Sequence, residues 1–276
     1  MKSRGSIHTT RFPVVSISIL IAIFTLSFIA PLLYNLSPFE LDKDIILQAP
    51  SLDHLLGTDR LGRDILARVM HGGQVSLLIG IGSAVIASLI GLLLGVSAGY
   101  FRGYFDKSFV VIVDLFLTFP TFFLLLAMVS YISASTMILI VVISVTGWMG
   151  TSRLIRAESY RIANQPYIKL LTLSKVSNTK IIFKYFLPLL APIFFVSFTF
   201  GVSGAILAES GLSYLGLGVT PPNMSWGSIL SEGKSVMQIA WWVSFFPGLM
   251  IFLVTFSLIQ ISDYLQQITN KKESLH

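Results

Sequence analysis

Four groups of residues have types and spacings that could do chemistry. Asp59, Arg60, Arg63 and Asp64 crowd the run HLLGTDRLGRDILARVMHGG, with Gly57, Thr58 and Gly62 beside them. Spacings of three and four bring such side chains within reach of one another on a helix, which Thr58 or Asp59 could cap. The cluster suits an internal ion-pair network that holds a loop in place better than it suits a substrate site. Asp114 and Glu209 are ionisable groups in apolar stretches. A charge there is costly and turns towards the interior, water or a partner charge. Nothing in the sequence brings these two together, so packing and gating suit them better than a proton relay. His54 and His71 lack the carboxylate or thiolate spacing of a metal centre, and no metal is expected.

The fourth group is the stretch from Arg153 to Pro188, RLIRAESYRIANQPYIKLLTLSKVSNTKIIFKYFLP, which is polar and lies between two apolar segments. Asn164 and Pro166 predict a helix start, since Asn accepts from free backbone N–H groups and proline fits a first turn. The helix then carries Tyr167, Ile168, Leu170 and Leu171 on one side, with Lys169, Thr172 and Lys175 towards the other. Ser177 can cap a second helix bearing Ile181, Ile182, Tyr185 and Phe186 against Lys180 and Lys184. Two successive amphipathic helices read as an interfacial segment resting on lipid headgroups or, more sharply, as a docking surface for another protein.

No enzyme signature accompanies these groups. A nucleotide-binding loop needs glycine before Lys-Ser or Lys-Thr, and Lys107–Ser108 follows Asp106. HExxH and GxSxG are missing, and the absence of cysteine excludes disulfides, iron–sulfur clusters and thiol catalysis. The expectation is a chain with no catalytic residue and no cofactor of its own, which supplies a path and moving parts.

Those parts must be membrane helices. Of 276 residues 54% are hydrophobic and only 12% charged, and the mean hydropathy is +0.81, against about 25% charged in a soluble domain. Spans of about 20 apolar residues are predicted at Pro13–Tyr34, Val75–Tyr100, Ser108–Tyr131, Thr136–Leu154, Phe186–Ser210 and Trp241–Ile261. The first is too long in its apolar run for a signal peptide. The net charge of +6 is a topology signal rather than a mark of nucleic-acid binding. With the amino terminus inside, only Lys43, Arg60, Arg63, Arg68 and Lys234 lie outside, so both termini and the Arg153–Pro188 stretch are placed in the cytoplasm. Gly80, Ala84, Ser88, Gly91, Gly95 and Gly99 form a small-residue face on the second span that predicts close helix packing. Pro120 should bend the third span, and Pro247–Gly248 should disturb the sixth. Tyr214, Trp226, Trp241 and Trp242 suit a membrane interface, and the glycine-rich outside segment after the fifth span could form a gate or docking rim.

Three long motifs, in order and on consistent sides, carry a family resemblance. They are HLLGTDRLGRDILARVMHGG before the second span, YIKLLTLSKVSNTKIIFKYFLP in the cytoplasm and ILAESGLSYLGLGVTPPNMSWG after the fifth. The chain resembles the permease subunits of ABC-type importers of the dipeptide/oligopeptide/nickel family over nearly its whole length. The family's cytoplasmic motif reads Glu-Ala-Ala, three residues, then glycine. Here Lys169, Leu170 and Leu171 stand at the first three positions and Lys175 at the glycine, while Tyr167, Ser177, Ile181, Ile182, Phe183 and Leu187–Pro188 agree. The lysine at 175 is expected to remove flexibility between the two helices.

The resemblance implies an all-α, polytopic protein of type I ABC importer permease architecture in the prokaryotic plasma or inner membrane. Residues 1–74 would hold the first span and outside loop, 75–268 a five-helix core with its coupling loop at 153–188, and 269–276 a cytoplasmic tail. It implies a second homologous permease, two cytoplasmic ATPase subunits carrying ATP and Mg, an outside substrate-binding protein and surrounding lipid, without nucleic acid. Tyr167, Ile168, Lys169, Leu170, Leu171, Lys175 and Ser177 would couple to the ATPases. Gly57, Thr58, Asp59, Gly62, Arg63, Asp64, Glu209 and Trp226 would form the outside motif and gate. Short peptides are the expected cargo, with nickel or a metal chelate as the alternative. A stand-alone ion-coupled carrier using Asp114 and Glu209 is the reading from another class.

Overall fold

The computed structural model describes residues 12–132 and 135–273, in which helices α1 to α10 are joined by turns and by longer loops between α1 and α2 and between α8 and α9. The basic residues Lys2, Arg4 and Arg11 lie outside the described residues. Among the described residues five helices are long and apolar enough to cross a membrane, or six if one bent pair counts as a single span. The five are α1 (Val14–Phe28, extended by a 3-10 turn to Leu32), α2 (Ile65–Phe101), α5 (Thr136–Ala163), α8 (Leu187–Tyr214) and α10 (Trp242–Glu273).

The third predicted span differs from expectation. It is two helices, α3 (Gly103–Thr118) and α4 (Thr121–Ser130), meeting at 80°. Phe119 and Pro120 between them are extended, because proline drives the residue before it out of the helical region. Pro247 does not have this effect, and α10 runs through it unbroken. The small helices α6 (Pro166–Leu173), α7 (Asn178–Ile181) and α9 (Trp226–Gly233) lie in the connections. Residues Ile182–Phe186 continue from α7 into α8 as a π-helical turn.

The spine of the molecule is α2. At 37 residues it is about 55 Å long, well over a hydrocarbon layer of about 30 Å. It begins ten residues before the apolar run suggests, because the polar motif ahead of that run is already helical from Ile65. The small-residue face performs as predicted, within the chain: Gly91, Gly95 and Gly99 lie against Thr151, Ile155 and Ser159 of α5. A Cβ on Gly99 would fall 2.5 Å from that of Ser159 and 2.7 Å from the Arg156 carbonyl oxygen, so only glycine permits this approach. Four apolar clusters follow the spine, one of them fastening α3 and α5 to it through Ala98, Phe109, Val113 and Met149. Of the others, one lies at its start around Ile65, Val69, Trp226 and Trp242, one at mid-length around Ile79, Leu139, Ile143 and Leu212, and one at its far end around Val96, Ile155, Ile162, Ile168, Phe186 and Leu190. The motif regions therefore sit at opposite ends of one long helix.

Candidate functional site

At the start of α2 the charges are paired and buried. Asp64, not Thr58 or Asp59, caps the helix: its Oδ2 accepts from the Ala67 N–H at 2.8 Å. The same carboxylate accepts from the Tyr34 hydroxyl at 3.1 Å and lies 3.0 Å from His54 Nδ1. Burial, with the Asp64 charge and hydrogen bond added, pushes the Tyr34 phenol up to about 12. The segment ahead of the cap is a turn, because Asp59 Oδ1 draws in the Leu61 and Arg63 N–H groups at 2.8 and 3.0 Å. Gly62 takes φ +74° there, and a Cβ would strike the Asp42 carbonyl. The N–H of Gly57 donates to the His54 carbonyl and its own carbonyl accepts from Ile65.

Asp59 is 1% exposed and holds two arginines through Oδ2, Arg63 Nε at 2.7 Å and Arg68. Both arginines continue to Glu232 of α9: Arg63 Nη2 at 2.6 Å, Arg68 Nη1 at 2.7 Å and Nη2 at 2.9 Å. The internal network expected from the sequence is present, with a different membership. Arg60 leaves it for Ser235, and Arg68 and Glu232 are its centre. Arg68 follows Asp59 by nine residues, too far for a local helical pair, and Glu232 is distant in sequence, so neither was visible from spacing.

The tryptophans also depart from expectation. Trp226 is buried, donating from Nε1 to the Val69 carbonyl at 2.8 Å, and the buried Trp242 donates to the Thr58 carbonyl at 3.1 Å. They bolt α9 and α10 to the outside motif, because an indole N–H inside a core needs an acceptor. Only Trp241 and Tyr214 keep an interfacial exposure.

Glu209 is fully buried in a cage of hydroxyls. Ser213 donates at 2.6 Å and Ser76 at 3.3 Å, while Ser76 accepts from the Trp226 N–H and Ser213 from that of Val219. One carboxylate thus joins α8 to α2 and the start of α9. Asp114 pairs instead with Arg153 at 3.0 Å, both side chains about half exposed, and one helix turn from Arg153 the pair Arg156–Asp106 fastens α3 to α5 a second time. The two intramembrane carboxylates share no partner. Among the described residues no group of His, Cys, Asp and Glu could hold a metal ion.

At the far end of α2, α6 begins at Pro166. Asn164 caps the end of α5 rather than the start of α6, its amide donating to the Tyr160 carbonyl at 3.0 Å. The amphipathic division is rotated from the expected one. Ile168 is buried and Leu171 partly so, against Ile155, Ile162, Ile181 and Phe186. Leu170 is 63% and Leu173 78% exposed, on the same face as exposed Lys169, and Tyr167 is exposed at its edge. Ser177 holds the position before α7, but its side chain makes no capping bond.

Lys175 has φ +57°. Its N–H donates to the Thr172 carbonyl at 3.0 Å and that of Val176 to the Leu171 carbonyl at 3.1 Å. These two bonds close α6 with a left-handed residue, and Val176 packs in the same cluster as Leu171. A glycine at this position would serve backbone geometry rather than flexibility, and Lys175 occupies that geometry at a cost.

Known proteins share this sequence and arrangement. The model of the family described as binding-protein-dependent transport system inner membrane component matches residues 91–273. The oligopeptide transport system permease protein OppC of Mycobacterium tuberculosis is 35% identical over 246 residues, 88% of this chain and 84% of that protein. OppC of Haemophilus influenzae is 30% identical over 260 residues, 93% of this chain and 84% of that one. Among solved structures, an inward-facing conformation of the MetNI methionine ABC transporter superposes with TM-score 0.57 at 17% identity, over 72% of this chain and 96% of that chain. The all-α architecture is thus that of a type I importer permease, and the chain belongs to the binding-protein-dependent transport system inner membrane components, the permeases of ABC importers.

Proposed function

We propose that this chain is one of two permeases of an ATP-driven importer in the cell membrane, forming with a second homologous permease the path for short peptides handed over by an outside binding protein. The observation that carries the reading is α6: a short, rigidly closed helix at the end of the long helices, with leucines turned outward on a chain that has no nucleotide-binding loop. The peptide cargo is supported by relatives named for oligopeptide transport.

ATP and Mg would bind the two cytoplasmic ATPase subunits, whose closure pushes on the outward face of α6. The inward face, Ile168 and Leu171, shares one apolar cluster with the end of α5 and the start of α8. Packed interiors transmit displacement rather than absorb it, so α5 and α8 move with α6. At its other end α8 carries Glu209, whose serine cage ties it to α2 and α9. A displacement of α8 would therefore strain or part that cage, which supports a role for Glu209 and Trp226 in an outer gate. The charged clasp of Asp59, Arg63, Arg68 and Glu232 keeps the outside loop and α9 as one body during this movement.

The test is uptake of a labelled dipeptide and a labelled pentapeptide by cells lacking this chain and by cells with it restored. Loss and rescue of peptide uptake are expected. Peptide uptake unchanged by the deletion, with nickel uptake lost and restored, would overturn the cargo assignment.

A further inference from the structure

The chemistry of α6 specifies the surface that receives it. At 3.6 residues per turn, Ile168 and Leu171 turn inward while Lys169, Leu170 and Leu173 share the outward face, in agreement with their exposure. From Ser159 to Ala208 the sequence contains no Asp or Glu. Lys169, Lys175, Lys180 and Lys184 are all exposed there, and among the described residues none of the four is in an ion pair. Two exposed leucines beside uncompensated cationic charge form a surface that is unfinished in both apolar area and electrostatics. Lys175 is also fixed in position, since the closing turn of α6 holds its backbone.

Resting on the reading of α6 as the ATPase contact, we propose that its partner is a protein surface with an apolar cleft for Leu170 and Leu173, rimmed by carboxylates that face Lys169 and Lys175. Complementary charge around a desolvated apolar centre is the arrangement that fixes register and excludes wrong partners. A lysine at 169 opposes any rim built of lysine or arginine, so this permease rejects ATPases whose cleft is made for an acidic helix. A protein occupant fits better than a lipid surface for a geometric reason. The buried side of α6 already packs on the ends of α2, α5 and α8, and a spine of about 55 Å stands clear of a hydrocarbon layer of about 30 Å.

The experiment uses the complete complex, purified in nanodiscs by a tag on this chain, and measures the ATPase retained after washing at 0.15 M and 1 M NaCl. Three chains are compared: wild type, Lys169→Glu with Lys175→Glu, and Leu170→Asp. The proposal expects wild type to lose ATPase at 1 M salt, where charges are screened within about 3 Å. It expects the lysine double variant to bind at least about tenfold more weakly at 0.15 M, as a few rim pairs would allow. Retention by the lysine variant with loss by Leu170→Asp would overturn the acidic rim and leave the docking reading intact. Retention by all three would overturn both. Repeating the assay in nanodiscs of phosphatidylcholine alone and with phosphatidylglycerol gives the last arm. A lysine effect seen only with the anionic lipid would assign these lysines to the membrane surface and overturn the protein rim.

Discussion

The two ends of α2 handle charge in opposite ways. At the outside end Asp59, Arg63, Arg68 and Glu232 pair with one another, and Arg68 is 1% exposed. At the inner end Lys169, Lys175, Lys180, Lys184, Leu170 and Leu173 are exposed, and from Ser159 to Pro188 the sequence holds no carboxylate. The first region is complete within the chain, so its charges determine how the chain folds. On the proposed docking the second is completed by another molecule, so its charges determine what the chain joins. Substitutions should separate these two consequences, and the largest effects on stability belong to the outside end.

Arg68→Met is expected to produce the largest change. It leaves Asp59 buried without its second arginine and takes two bonds from Glu232, and breaking a buried pair in this way costs about 3–5 kcal/mol. Thermal unfolding in detergent should fall accordingly, while ATPase retained at any temperature where the protein stays folded should be unchanged. A melting temperature equal to wild type would show that the outside charges are not what completes that end.

Gly99→Leu attacks the connection between the ends. Its side chain would have to part α2 from α5 at Ser159 and the Arg156 carbonyl, an overpacking cost of about 1–3 kcal/mol. Uptake should fall further than stability alone explains, because Val96 of α2 would no longer pack with Ile155 and Ile162 of α5 in the cluster that holds α6. A variant with reduced stability but full uptake per folded molecule would break the claim that this cluster transmits movement.

These contrasts were unevenly legible in the sequence. The all-α membrane fold, the small-residue seam and the position of the inner loop follow from composition and from periodicities of three and four, which depend on local geometry. Arg68 with Glu232, and Trp226 with Val69, join residues over 150 positions apart, and no local period reports such pairs. The break at Pro120 was visible, but its angle was not, since proline removes one hydrogen bond without dictating where the chain turns. The rotation of α6 was misjudged for a similar reason. Leu170 and Leu171 are equally apolar, and only the packing of Ile168 shows which of them faces inward.

That rotation selects the informative substitution at the inner end. Leu171→Asp would put a carboxylate beside Ile168 and report on folding. Leu170→Asp leaves a side chain already 63% exposed, so stability should change by no more than about 0.5 kcal/mol. ATP hydrolysis and uptake should nevertheless come apart. A large loss of stability together with intact coupling would reverse the assignment of the two ends.

The smallest effect on transport is expected at Lys175, where backbone and charge can be separated. A non-glycine residue in the left-handed region costs about 1–2 kcal/mol, and glycine gives back about 0.5–1 kcal/mol of that through the freedom it loses on folding. Lys175→Gly should therefore stabilise the loop by about 1 kcal/mol or less, seen as slower hydrogen exchange at the Val176 amide that closes α6. Lys175→Ala keeps the strain and loses the charge, so it should leave that exchange rate unchanged. Both variants remove the same positive charge and should weaken ATPase retention equally if the carboxylate rim exists. If the glycine variant instead retains more ATPase than the alanine variant, loop order outweighs charge in the contact, and the inner end is completed by shape before electrostatics.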